Sequence, residues 1–167
     1  KDHDVAQALW KENIRECKIL AGLLQPVDTF YPEIADIWVE DMRYPEVAEL
    51  TVMNLFQHLP YASDKAFEWM AHEEEYFQMC GFLLMARMLM KGCELNERAE
   101  NEFVDQAMAA IYDESGLVCK AASTALVKYA GQKRINARKL LKMVQYIDAS
   151  ERLELLALKE EIKLAAE

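Results

Sequence analysis

Apolar residues recur at intervals of three and four along almost the whole chain, and this periodicity is typical of amphipathic α-helices. The 167 residues include only five glycines and four prolines, while good helix formers such as Ala, Leu, Met, Glu and Lys are abundant. A chain of this length that is 53% hydrophobic can bury one sizeable core. We therefore predict an all-helical protein with a single domain spanning residues 1–167.

Residues that start and stop helices divide the chain into about nine predicted helices joined by short connections. Their predicted positions are 4–24, from Pro32, 45–59, after Ser63-Asp64, from Glu73 to Gly92, 96–112, 115–130 with Gly131 as the stop, 136–147, and from Ser150 onward. We predict that the first helix turns a stripe of five residues towards the core: Val5, Leu9, Ile14, Cys17 and Leu20. The core-facing residues predicted for the second helix are Ile34, Ile37 and Trp38.

Alternate predicted helices start near residues 4, 45, 75, 115 and 150. This spacing of roughly 40 residues is typical of HEAT-like repeats, in which antiparallel helix pairs stack on one another. The predicted fold class is therefore all-α, an α-solenoid of HEAT-like helical repeats. A plain helical bundle is the alternative, but it would favour four longer helices.

The charge of the chain is unevenly distributed. The net charge of −10 repels nucleic acid over the surface as a whole, yet residues 116–147 contain seven cations and no Asp or Glu. We name these cations the basic face: Lys120, Lys128, Lys133, Arg134, Arg138, Lys139 and Lys142. Because salt screens exposed charges beyond about 8 Å, a local basic face can act despite distant acids. The sequence leaves open a solvated helix surface or an anion-binding site.

Several classes of site and location find no support in the sequence. The three histidines are isolated, and neither a glycine-rich phosphate loop nor a Gly-x-Ser-x-Gly motif occurs, so we predict no metal and no cofactor.

The four cysteines form no CxxC pair and are expected to be buried thiols. Gly81 is expected to permit close helix packing. With no apolar stretch of membrane-spanning length and no visible leader, a cytoplasmic protein without membrane contact is expected.

Six segments occur in an order that matches one known family. They are Ala8-Leu9-Trp10, Met53-Asn54-Leu55-Phe56, Trp69, Gly81 to Ala86, Ala125-Leu126, and Gly131-Gln132-Lys133-Arg134. From about Leu9 to Lys142 the chain resembles the DNA alkylation repair enzymes, HEAT-like-repeat DNA glycosylases that excise positively charged alkylated purines. The resemblance starts partway into the family's domain, which implies that one or more N-terminal helices are absent.

The resemblance implies an active site with a Trp and an Asp four residues apart on one helix, and with an Arg and a second Trp from later repeats. Aromatic faces would hold the cationic nucleotide, a carboxylate would stabilise the positive charge that builds on the sugar, and the Arg would hold phosphate. By position these four residues fall at Pro45, Glu49, Met79 and Thr124. Only Glu49 is chemically similar, so weak or no base excision is expected.

Three functional hypotheses follow. The first is a divergent member of this family that binds duplex DNA through the basic face with little or no base excision. The second is an active glycosylase with Glu49 as its catalytic residue, in a site lined by Tyr44, Pro45, Tyr76, Met79 and Thr124. The third is a protein-binding scaffold whose acidic surface meets a basic protein partner. Glu49 alone also fits a simple role at the positive end of a helix dipole.

Overall fold

The computed structural model describes residues 1–148 and 152–167, which form ten α-helices and two 3-10 turns without any β-strand among them. The α-helices are α1 His3–Lys11, α2 Arg15–Leu24, α3 Pro32–Glu40, α4 Pro45–Asn54, α5 Ala62–Met70, α6 Glu75–Met90, α7 Glu97–Ala110, α8 Gly116–Gln132, α9 Arg134–Val144 and α10 Leu153–Ala166. The 3-10 turns are Val27–Thr29 and Phe56–His58. The all-helical prediction is confirmed. The chain forms two compact units, Lys1–Leu84 and Met85–Glu167, and the single domain stays a prediction.

A chain of aromatic rings forms the core of the first unit. Trp10 stacks on Trp38 with ring centroids 4.0 Å apart, and the edge of Phe30 meets Trp38 at 4.8 Å. Phe56 lies 6.0 Å from Phe30 and 5.3 Å from Trp69. Since each such pair contributes about 0.5–1.5 kcal/mol beyond its buried area, these contacts fix how α1, α3 and α5 pack.

The first predicted helix is wrong, because the structure breaks it into α1 and α2 between Lys11 and Arg15. The break changes the register, so that Val5, Ile14 and Leu20 of the predicted inner stripe are 45%, 51% and 44% exposed. The buried positions include Trp10 and, unexpectedly, Lys18, which is 5% exposed. The Nζ of Lys18 lies 4.4 Å from the Trp10 ring centroid and donates to the Trp10 carbonyl at 2.5 Å. Burial lowers the pKa of Lys18, an effect partly offset by Asp41.

Other predicted boundaries also need correction. Ile37 is 54% exposed, because α3 turns Ala35, Trp38 and Val39 towards the core instead. Ser63-Asp64 does not cap α5, which begins at Ala62 without a side-chain cap. Gly131 lies inside α8, and α9 begins two residues before Asn136. The predicted start of the last helix at Ser150 lies outside the described residues.

Within the second unit, α8 packs against α7, α9 and α10. The side chains of Asn96 and Ser115 cap α7 and α8 by accepting from the backbone N–H groups of Ala99 and Val118, so both predicted starts are confirmed to within a residue. Gly92 ends α6 in the left-handed region with φ +83°, which favours glycine. The Gln132 side chain donates to the Leu89 and Cys93 carbonyls at 3.0 Å each, and so ties the end of α8 to this turn.

Gly81 lets α6 approach α5 closely, as the sequence predicts. A Cβ built at this position would lie 2.5 Å from the Met70 nitrogen and 2.9 Å from the Trp69 carbonyl carbon. Both are backbone atoms that no rotamer change can move aside. The residue is buried, so this close approach is a packing contact.

Candidate functional site

The start of α4 is where the resemblance implies the catalytic helix. Pro45 is the first helical residue, where its fixed φ and missing N–H do no harm, and Tyr44 before it is extended and 46% exposed. Glu49 lies one turn further along α4 and is exposed to solvent. A carboxylate in water acts on a nearby charge through a high dielectric, so its stabilising effect on a developing cation is small.

Tyr76 and Met79 lie on the first turns of α6, in the same unit as the start of α4. The pKa of Tyr76 is raised mainly by burial, with contributions from Glu75 and Cys80 that Arg43 partly offsets. Met42 and Cys80 are also neighbours, with their sulfur atoms 3.6 Å apart. The chain just before α4 therefore packs against α6. Met79 is 3% exposed, so DNA would reach its side chain only after the surrounding core moved.

Two arginines lie near this region: Arg15, which pairs with Glu46 on the first turn of α4, and Arg43, two residues before α4 begins. The Arg43 Nη1 donates to the carbonyls of Glu40 and Met42, at 2.8 Å each. Both carbonyls lie at the end of α3 or just after it, where helix geometry leaves acceptors without partners. The Arg43 guanidinium thus caps the C-terminal end of α3. The spacing of three residues between Glu40 and Arg43 is the sequence signal that could have suggested this role.

Thr124, the position implied for the second tryptophan, belongs to α8 in the second unit. Its hydroxyl donates to the Lys120 carbonyl at 2.9 Å, one turn earlier in the same helix. It lines a groove of about 560 Å³ between α8 and α10. The charged residues of this groove are Lys120 and Lys128 from α8 and Glu154 and Glu161 from α10. The groove is therefore of mixed charge.

The structure separates the seven cations of the basic face into two groups. Lys133 pairs with Glu94 at 3.1 Å and Lys139 with Glu100 at 3.2 Å, while Lys120 and Lys128 share their groove with carboxylates. Hydrogen bonds from Tyr129 and then Lys139 hold the pKa of Glu100 below its usual range. Four of the seven charges are thus compensated or lie near acids.

The other three cations, Arg134, Arg138 and Lys142, form what we name the α9 stripe. All three are exposed, and none forms an ion pair with another residue in the described parts of the chain. They are spaced four residues apart, which places them along one side of α9. The buried side of the same helix is formed by Ala137, Leu140 and Val144. The amphipathic character of α9 thus presents the stripe to solvent.

The described residues give no sign of a metal centre or a membrane span. Across 1–148 and 152–167, no group of three or more His, Cys, Asp or Glu side chains is arranged to hold a metal ion. In the same residues, no helix has the length and apolar character needed to cross a bilayer.

Comparison with known proteins gives a family and a fold. The sequence profile described as "DNA alkylation repair enzyme" matches residues 1–163. No curated protein sequence gives a significant match. A solved structure described as "a new family of proteins related to the HEAT-like repeat DNA glycosylases with affinity for branched DNA structures" is similar over 99% of this chain and 75% of its own, with a TM-score of 0.78 and 12% identity. The predicted HEAT-like helical fold is confirmed.

Proposed function

Because the chain belongs to the DNA alkylation repair enzyme family, we propose that it binds DNA through the α9 stripe and excises alkylated bases weakly or not at all. The observation that carries the DNA-binding part is the set of three exposed cations without ion pairs on one side of α9, in the described part of a chain whose net charge is −10. Exposed cations that are not neutralised by the protein are the groups that bind phosphate.

The dimensions of the stripe suit a nucleic-acid backbone. Arg134 and Lys142 are eight residues apart, or about 12 Å along the helix axis. One strand of B-DNA carries a phosphate about every 3.4 Å of axis, so this length faces three to four phosphates. Arg134 and Arg138 add guanidinium groups, whose planar pairs of N–H donors match phosphate oxygens.

The affinity that the structurally similar protein is described as having for branched DNA supports testing branched substrates here. At 12% identity the likeness concerns the fold, and the stripe is the feature of this chain that would provide the contact. We propose that branched and continuous duplex DNA are both ligands.

We expect weak base excision because of the residues found at the four positions where the resemblance implies catalytic groups. Pro45 and Thr124 offer no aromatic face for a cationic base, and Met79 offers no guanidinium and is buried. Glu49 is exposed, where water screens it. Catalytic groups that act together are not replaced one at a time, so a lone carboxylate should retain little activity.

The binding proposal is tested by a variant with Arg134→Gln, Arg138→Gln and Lys142→Gln. Each phosphate contact contributes about 0.9 to the slope of log K against log salt for B-DNA, so the variant's slope should be shallower by about 2.7. Over a fourfold rise in salt, those three contacts correspond to about a 40-fold loss of affinity. Fluorescence anisotropy at several salt concentrations measures both quantities.

The matched control is a variant with Lys11→Gln, Arg98→Gln and Lys163→Gln, three exposed cations outside the basic face. It has the same net charge as the stripe variant, so a general charge effect would weaken both equally. Equal weakening would contradict the proposal. Negligible DNA affinity of the unaltered protein, with capture of a basic protein partner, would instead support the scaffold hypothesis.

The excision proposal is tested on alkylated DNA with the unaltered protein and the Glu49→Gln variant. We expect neither to release 3-methyladenine or 7-methyladenine above the uncatalysed background. Release by the unaltered protein that the Glu49→Gln variant loses would establish an active glycosylase with Glu49 in its site.

A further inference from the structure

Tyr146 is the most exposed large apolar side chain among the described residues, at 85%. It lies in the turn that directly follows α9. The backbone of this turn is well anchored, because Ile147 is 5% exposed and its N–H donates to the Val144 carbonyl at 3.0 Å. The Lys159 Nζ of α10 also donates to the Ile147 carbonyl, at 2.9 Å. An ordered turn therefore presents the aromatic ring to solvent.

The position of Tyr146 continues the α9 stripe. The stripe residues are 134, 138 and 142, and residue 146 is the next member of this four-residue series. Gln145 keeps a right-handed helical conformation, and its N–H donates to the Leu141 carbonyl at 3.1 Å, so the helical path continues to the residue before Tyr146. On this path the backbone of residue 146 lies about 6 Å beyond that of residue 142 along the axis.

A cationic series that ends in an exposed aromatic ring is suited to DNA with unpaired bases. In a continuous duplex, the faces of the bases are covered by their neighbours in the stack. An unpaired base at a branch has a free face, and an aromatic side chain beside a basic surface is the usual platform for it. Stacking is tolerant of sequence, because every base has such a face.

We infer that Tyr146 stacks on an unpaired base at a DNA branch while the α9 stripe holds the adjoining phosphates. This inference rests on the proposed function, and adds that the protein prefers branched DNA with unpaired bases over continuous duplex. A nucleic acid fits this series as a ligand, since it offers phosphates to the three exposed cations and the face of a base to the exposed ring.

The test compares the unaltered protein with Tyr146→Ala, Tyr146→Phe and Tyr112→Ala. Tyr112 is the control, because it is 55% exposed in the same unit but no cation precedes it by four or eight residues. The ligands are a forked oligonucleotide with unpaired arms and a continuous duplex of equal length. Loss of one stacked base should weaken binding of the fork by about 5- to 150-fold in Tyr146→Ala, with duplex affinity unchanged. Tyr146→Phe and Tyr112→Ala should bind both ligands as the unaltered protein does.

A Tyr146→Trp variant gives a direct reporter of stacking. The three native tryptophans are 0–2% exposed, so the introduced indole would be the exposed one. Its fluorescence should be quenched by the fork and not by the duplex. Since Tyr146 is so exposed, all variants are expected to keep the circular dichroism spectrum of the unaltered protein.

The outcomes separate this inference from the proposed function. If both DNAs bind through the stripe but Tyr146→Ala leaves fork affinity unchanged, the inference is wrong and the proposed function stands. Equal loss on fork and duplex would also overturn it. If the unaltered protein binds neither DNA, or if a basic or acidic peptide binds to this face instead, both fail.

Discussion

Replacing Gly81 with Ala should destabilise the first unit, although alanine is the better helix former. The new Cβ would meet three backbone atoms of α5: the Met70 nitrogen at 2.5 Å, the Trp69 carbonyl carbon at 2.9 Å and the Ala66 oxygen at 3.0 Å. Overpacking costs about 1–3 kcal/mol, and contacts with backbone belong at the upper end of that range. The gain in helix propensity offsets about 1 kcal/mol of this. The expected net loss is about 2 kcal/mol.

For a chain of this length, a loss of about 2 kcal/mol lowers the unfolding midpoint by about 4–8 °C. Tryptophan fluorescence is the suitable assay, because Trp10, Trp38 and Trp69 all lie in the first unit. The matched control is Gly131→Ala in α8, where a Cβ would meet nothing within 4 Å. Circular dichroism should show that this control is about 0.5–1 kcal/mol more stable than the unaltered protein. A Gly81→Ala protein at least as stable as the unaltered one would refute the close packing of α5 and α6.

Two further predictions concern titratable groups. Burial, with Glu33 and Asp36, raises the pKa of Tyr61 to about 12, and its hydroxyl donates to the Phe30 carbonyl at 2.5 Å. The unfolded chain therefore loses this proton first, near pH 10, so stability should fall as the pH rises from 10 to about 12, and denaturant midpoints of Tyr61→Phe should lack this part of the fall. The prediction of buried thiols is confirmed for Cys80 and Cys119, and burial raises the pKa of the Cys80 thiol. It is wrong for Cys17 and Cys93, which are partly exposed. A thiol reagent followed by mass spectrometry should therefore modify Cys17 and Cys93 in the folded protein, and rapid modification of Cys80 would show that its helix opens readily.

Local chemistry made four of the ten helix starts in the described residues predictable from the sequence. Asn96 and Ser115 are side-chain caps, and Pro32 and Pro45 occupy first helical positions, so each marks its helix without reference to distant contacts. The break between α1 and α2 has no proline or glycine to mark it. It depends on tertiary contacts instead, since the buried stem of Lys18 packs over Trp10, and a lysine does not count towards an apolar stripe.

The candidate interface was only partly predictable, for a related reason. The sign of the charge between residues 116 and 147 is a property of the local sequence. Whether each cation is paired with a carboxylate cannot be read from the local sequence. Lys133 and Lys139 pair with Glu94 and Glu100, which lie 39 residues earlier in the chain. Tyr146 was missed because periodicity assigns aromatic residues to a core, and only its position after the end of α9 exposes it.

The acidic surface elsewhere determines how the α9 stripe can act. At physiological salt, DNA within about 8 Å of the stripe is attracted by its three cations, while more distant carboxylates are screened. At about 0.01 M salt the screening length grows to about 30 Å, so a net charge of −10 also repels the approaching backbone. A uniformly basic protein would gain affinity steadily as salt is removed, whereas this chain should gain less at the lowest concentrations. A plot of log affinity against log salt that flattens at low salt would therefore support DNA contacts confined to α9. DNA that lies across more of the surface meets more carboxylates than cations.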